Sequence, residues 1–290
     1  MKSKLIPLLC ITLHLCAQGA WAQVPDGSDM HLPRTPFRLQ SRAEVQLPPA
    51  VDNSTRKFFP PILDQMGGSC AQASGIGYMF TYEINRLLDR DAHASADHRF
   101  SYQFSWNLLN DGQDQGDFVD QGLYLSERYG IMTEQDYGIS GTYQFKWATG
   151  YDKYYKALQY RTQEVLTFAD SIPLMKRWLY DAGDGSAVGG VLTFSAMSRG
   201  WEIDDDYQGP SLTGYRSLLK GLATDGAHAL TIAGYDDTVV YTDAQGTPHT
   251  GAFIVVNSWG THSHDHGRFY LPYDFFRDAR VPEQQLGSTV

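Results

Sequence analysis

Apolar positions in this chain fall into two kinds of spacing. Ala73, Ile76, Phe80, Ile84, Leu87 and Leu88 recur every three or four residues, which predicts a helix with one buried face running to about Leu88. The stretch before it, Phe58 to Ser69, is rich in Pro and Gly and predicts a loop. Pro173 to Asp181 reads as a second helix and Ala187 to Phe194 as a buried strand. Towards the C-terminal end, His228 opens a short apolar run closed by Gly234-Tyr235-Asp236-Asp237, and Ala252 to Val256 forms another. Both read as buried strands, and the Asp-, Thr- and Gly-rich segment from Asp236 to Gly251 reads as their hairpin connection. Helices and strands in this arrangement predict an α+β fold.

One apolar run has a different meaning. Leu5 to Cys16 follows Lys2 and Lys4 and precedes Ala20-Trp21-Ala22, the pattern of a cleavable signal peptide cut after Ala22. The run is too short to cross a bilayer, so the expectation is export, to the periplasm or outside the cell, without membrane insertion. Residues 23–44, rich in Pro, Asp and Arg, read as a short N-terminal extension, and 45–290 as a single domain. With 33 Asp and Glu against 23 Lys and Arg, the chain carries a formal charge of −10, which disfavours nucleic acid as a partner.

Of three cysteines, Cys10 and Cys16 lie in the signal segment, leaving Cys70 alone in the processed chain. A single Cys is most often a small buried apolar residue, and in an oxidising compartment a free thiol is a liability. Its surroundings point to chemistry. Cys70 stands at the start of the predicted helix after Gly67-Gly68-Ser69, where unpaired backbone N–H groups favour a thiolate and the glycines let backbone approach the sulfur. A thiol nucleophile needs a base and the base needs an orienting group. His228 on one strand and Asn257 at the end of the other supply both once the strands pair. His262, His264 and His266 alternate in the loop beyond Asn257, and Asp111, Asp114 and Asp117 cluster near two glycines. Each group has a metal reading, but solvated side chains are the favoured one, and neither metal nor cofactor is expected.

Taken in order, Gln65, Cys70, His228 and Asn257 resemble the catalytic residues of the papain family of cysteine peptidases. Asp64-Gln65 with Gly68-Ser69-Cys70 looks like the nucleophile motif, His228-Ala229-Leu230 through Gly234-Tyr235 the histidine strand, and Asn257-Ser258-Trp259-Gly260-Thr261 the asparagine motif. Gly267 to Tyr273 is similar to the closing strand of bacterial members. The resemblance spans about Leu47 to Phe276. It implies a papain-like two-lobed fold, a helical lobe (about 56–165) carrying the nucleophile helix and facing a β-barrel-like lobe (about 166–290). It also implies Cys70 as nucleophile, His228 as base, Asn257 as its orienter and Gln65 as oxyanion donor. Trp259 would shield the His–Asn hydrogen bond, and Gly116, Gly68 and Ala227 would line the substrate cleft.

Departures accompany the likeness. The positions of the family's second Cys and post-nucleophile aromatic hold Gly67 and Ala71, and the Gln65–Cys70 loop is one residue short. Insertions at 141–170 and 196–224, the latter with Trp201 and Asp204-Asp205-Asp206, either border the cleft or decorate the surface. The chain has no room for a long inhibitory propeptide, so export itself or a separate inhibitor protein would provide restraint. The implied partner is a protein or peptide substrate. Transamidation or deamidation by the same residues, and peptide binding without catalysis, stay open as alternatives.

One outcome follows from the cysteine count alone. With Cys70 the sole thiol of the processed chain, a reductant should leave the melting temperature unchanged in a thermal scan. A substantial fall would reveal a covalent dimer or an unprocessed N-terminus.

Overall fold

The computed structural model describes residues 34–39, 45–111, 113–139, 148–168, 171–243, 246–279 and 286–289. The expected signal segment, residues 1–22, lies outside the described residues, as does the expected extension apart from 34–39.

The helix predicted from the apolar spacing is continuous over residues 70–88, in three parts: α1 (Cys70–Gln72), a π-helical stretch (Ala73–Phe80) and α2 (Thr81–Leu88). Asp89 ends it in a left-handed conformation, φ 53°. Every residue of the π-helical stretch is buried, so the wider turn is enclosed on all sides. The remaining helices are α3 (Tyr102–Asn110), α4 (Val119–Tyr129), α5 (Tyr151–Ala157), α6 (Ile172–Asp181) and α7 (Tyr273–Ala279). Local chemistry sets their starts: Ser101 and Ser171 accept from the backbone N–H of Phe104 and Leu174, and Pro173 occupies the first turn of α6.

Among the described residues ten strands form one sheet: β1 (Arg34–Pro36), β2 (Ala50–Asp52), β3 (Glu164–Thr167), β4 (Leu192–Arg199), β5 (Glu202–Asp204), β6 (Leu218–Gly221), β7 (Asp225–Thr242), β8 (Pro248–Val256), β9 (Arg268–Pro272) and β10 (Leu286–Thr289). Their order is β1-β3-β10-β4-β7-β8-β9-β6-β5, with β2 also pairing with β7. All pairings are antiparallel except β1 with β3 and β6 with β9. The fold is therefore α+β, as the sequence pattern predicts.

β7 divides the interior by its alternation, which the register shift between Ile232 and Gly234 resets before Tyr235. Ala229 and Ala233 pack into a core with Ala73, Ile76, Phe80 and the other helices, whereas Leu230, Ile232 and Tyr235 face a second core with Phe194, Phe253, Val255 and Phe269. A smaller third cluster holds Tyr207, Val239, Ile254 and Tyr270.

Two sequence expectations shift. The strand placed at Ala187–Phe194 is found at Leu192–Arg199. The backbone before it is committed elsewhere: Gly190 donates to the Trp178 carbonyl at the end of α6, and Asn53 Nδ2 donates to the carbonyls of Leu179 and Gly190. The polar segment 236–251 is mostly strand, not connection, since β7 runs to Thr242 and β8 starts at Pro248. Asp236 is buried at a register shift, where its carboxylate accepts from the backbone N–H groups of Leu212, Thr213 and Thr238. Its polarity serves a β-bulge rather than a turn.

Candidate active site

Cys70 is the first residue of the long helix, and the loop before it is built for close approach. Ser69 Oγ donates to the Met66 carbonyl at 2.6 Å, and Gly68 donates its N–H to Asp114 Oδ1 at 2.8 Å. A Cβ on Gly68 would lie 2.8–2.9 Å from the backbone of Gln115 and Gly116, so only glycine lets segment 115–116 pass there. A Cβ on Gly116 would meet nothing within 4 Å, because that residue faces open space. Asp114, exposed as expected of a solvated segment, thus also links two loops.

His228 pairs with Ala196 across β4, and Asn257 immediately follows β8. The antiparallel pairing of β7 with β8, Thr231 opposite Val256, carries the two side chains together. His228 Nε2 donates to Asn257 Oδ1 at 2.8 Å, which leaves the neutral ring with its lone pair on Nδ1. Ser258 N–H donates to the same amide oxygen at 2.8 Å, and Asn257 is fully buried. The Trp259 ring stacks on His228 with centroids 4.6 Å apart and planes 22° apart, covering that bond on one side. Tyr78 ties the parts together: its hydroxyl accepts from Leu63 N–H at 2.7 Å and donates to the Asn257 carbonyl at 3.0 Å.

Gln65 is drawn to the same place. Its backbone N–H donates to the Ser258 carbonyl, its Oε1 accepts from Ser258 Oγ at 2.5 Å, and its Nε2 donates to the Gly67 carbonyl at 2.9 Å. One N–H of that amide remains beyond the Gly67 bond.

A cleft of about 320 Å³ is lined by Cys70, Ala71, Gly116, Asp117, Phe118, Ser195, Met197, Ala227, His228 and Ala229. Cys70, His228, Gly116 and Ala227 therefore share one cavity; Gly68 supports its wall from behind. Phe118, Ser195 and Met197 were not singled out from the sequence, where nothing in their neighbourhood marks them. The loop histidines depart from expectation. His262 and His266 are exposed, but the side chain of His264 is only 11% exposed and its Nε2 lies 3.3 Å from Asn257 Nδ2. Among the described residues no three His, Cys, Asp or Glu side chains are grouped as metal ligands.

Burial decides the electrostatics. Burial pushes the Cys70 thiol up, the negative charge of Asp117 adds to the rise, and the Ala229 and Ala71 backbone N–H groups only partly oppose it. The resting thiolate inferred from helix position is thus outweighed. Burial also lowers His228 to about 4, against the opposing bond to Asn257. Both shifts run against the charged form of the group concerned. Asp117, buried with its oxygens bonded by Gln72 Nε2 and Asn110 Nδ2, is pushed up to about 7 by desolvation.

The architecture is that of the papain-like cysteine proteases. Xylellain, a cysteine protease from Xylella fastidiosa, superposes with a TM-score of 0.62 at 19% identity, covering 89% of this chain and 91% of its own. Digestive procathepsin L 3 of Tenebrio molitor larval midgut gives 0.58 at 14% identity over 89% and 74%. The ragweed pollen cysteine protease Amb a 11, in its proform, gives 0.57 at 16% over 85% and 66%. No family model matches the sequence, and no curated protein matches it. The likeness is one of fold.

Asp117 generates a stability prediction. Its folded pKa of about 7 lies above the ordinary carboxylate range, so the folded state holds this proton more tightly than the unfolded chain. The contribution is present in acid and lost as pH rises towards 7. Relative to wild type, Asp117→Asn should therefore gain melting temperature between pH 4.5 and 7.5; a constant difference across that range would contradict the assignment.

Proposed function

We propose that this protein is an exported cysteine peptidase that hydrolyses peptide bonds through Cys70, His228 and Asn257 and a thioester acyl-enzyme. The observation that carries the reading is the His228 Nε2–Asn257 Oδ1 bond beside a cleft shared with Cys70, because it orients the ring and leaves Nδ1 to take a proton. The papain-like cysteine-protease fold supports the same chemistry.

In this mechanism the Cys70 sulfur attacks the substrate carbonyl carbon while its proton passes to His228 Nδ1. The carbonyl oxygen gains negative charge and meets the Cys70 backbone N–H and the remaining Gln65 amide N–H. Collapse breaks the C–N bond, and the imidazolium returns its proton to the leaving amine. Water, deprotonated by His228, then attacks the thioester to release the acid and restore the thiol.

An extended substrate lies along Gly116, whose open face leaves its backbone accessible. The side chain beside the scissile residue enters the pocket between Phe118, Met197, Ala227 and Ala229, which selects an apolar group. The signal at residues 1–22 supports export.

Turnover of a fluorogenic peptide by purified variants tests this reading. Cys70→Ala and His228→Ala should each lower kcat by roughly 10⁴-fold or more with the fold intact, since the two act as a unit. Asn257→Ala should lose less, because the ring can find a related orientation without it. Near wild-type turnover in Cys70→Ala would remove the nucleophile assignment.

A further inference from the structure

The hydrogen-bonded line that begins at His228 continues past Asn257. We propose that His264 and Asp205 are positioning residues of this site: the His264 imidazole accepts from Asn257 and thereby fixes which end of the Asn257 amide meets His228. The proposal rests on the peptidase reading above.

The argument starts from the near-symmetry of an amide. Its oxygen and nitrogen ends have almost the same shape and opposite hydrogen-bonding roles, so surroundings alone decide which faces the base. At Asn257 the oxygen end receives His228 Nε2–H and Ser258 N–H. The nitrogen end, on a fully buried residue, needs an acceptor, and His264 Nε2 stands 3.3 Å from it. To accept, Nε2 must carry the lone pair and the ring proton must sit on Nδ1. Asp205 Oδ1 lies 3.6 Å from Nδ1, the side on which a carboxylate favours that proton.

Backbone geometry supports a held side chain. His264 adopts φ 50°, a left-handed conformation uncommon outside glycine and sustained only where surroundings fix it. The ring turns inward against Phe269, 5.1 Å edge-on, and Trp259, 6.2 Å away. His266 shares the left-handed conformation but its side chain is 82% exposed.

The arrangement has a defined failure in acid. Once protonated, His264 Nε2 becomes a donor facing another donor. Rotation of the amide relieves that clash but turns its NH₂ to His228, whose proton must then move to Nδ1, where it blocks uptake of the thiol proton. The titratable or charged groups facing the His264 ring are Asp205, from the turn after β5, and His228, from β7. From β9 it meets Phe269, and in its own loop the Asp265 carboxylate is engaged by Arg216 N–H. The neighbours of Asp205 are paired, Asp204 with Lys220 and Asp206 with Arg216. Burial lowers His264 below the usual imidazole range although Asp205 opposes the shift, which keeps the acceptor form at neutral pH.

The test compares His264→Phe, His264→Gln and Asp205→Asn with wild type, on a peptide substrate and by histidine ¹⁵N NMR. His264→Phe should lower kcat roughly tenfold at unchanged KM, a fraction of the ~10²–10⁴ that acid–base catalysis supplies. His264→Gln, which keeps an acceptor oxygen but does not titrate, should restore most of kcat and move the acid limb of the pH profile to lower pH. Asp205 is exposed, so Asp205→Asn should fold normally while its ¹⁵N spectrum shows His264 sharing its proton between both nitrogens. Wild-type kcat in His264→Phe, equal losses in the Phe and Gln variants, or protonated Nε2 on His264 of the wild-type protein at neutral pH would each overturn the proposal. Activity persisting in Cys70→Ala would instead remove the peptidase reading, and the NMR arm would still decide the tautomer.

Discussion

The site depends on a small polar seam between the long helix and the sheet. One helical turn beyond Cys70, Ser74 Oγ lies 2.6 Å from Thr193 Oγ1 on β4 and 2.9 Å from Thr231 Oγ1 on β7. All three residues are buried, so each hydroxyl left without its partner would carry an uncompensated desolvation cost of about 1–3 kcal/mol. Apolar packing alone would tolerate a small slide of helix on sheet; a Ser74 hydroxyl bonded to a threonine on each of two strands in a dry contact does not. Registering Ser74 against Thr231 registers Cys70 against Ala229 and His228, since the separations along helix and strand are fixed. The sulfur and the base come from residues far apart in the chain, and this contact sets their relation.

With that relation fixed, burial governs the chemistry. The same enclosure that holds His228 and Asn257 dry raises the thiol and lowers the imidazole. Asp117 works in the same direction, a carboxyl placed near the thiol with its own ionisation delayed to about pH 7. Substrate that displaces water and offers a carbonyl to the oxyanion donors supplies what the resting site lacks.

Much of this was legible in the sequence because the relevant signals are local. The helix over 70–88 follows from apolar spacing, the strands of His228 and Asn257 from their apolar runs, and the α+β class from both together. The rest required tertiary information. The polar residues after Tyr235 look like a turn until Asp236 is found bonding three backbone N–H groups in a bulge. Ala187 to Val191 looks like strand until Gly190 is seen bonded to α6. Neither the direction of the Cys70 shift nor the inward turn of His264 can be read from neighbours in sequence. The first depends on burial by distant segments, and the second on a left-handed residue meeting Asp205 from another loop. That loop lies within the segment 196–224, whose exposed Asp205 comes within 3.6 Å of His264 Nδ1.

β10 lies between β3 and β4 in the sheet, pairing with β3 across Leu286 to Thr289 and with β4 at Leu286 opposite Thr193. β4 carries Ser195 and Met197 into the cleft, and its Thr193 belongs to the polar seam. A chain emerging residue by residue during synthesis or translocation has β3 and β4 in hand long before β10. Until those late residues arrive, the strands that flank them have unsatisfied edges and nothing joins β1 and β3 to the rest of the sheet. Completion of the sheet is thus a late event in the life of each molecule.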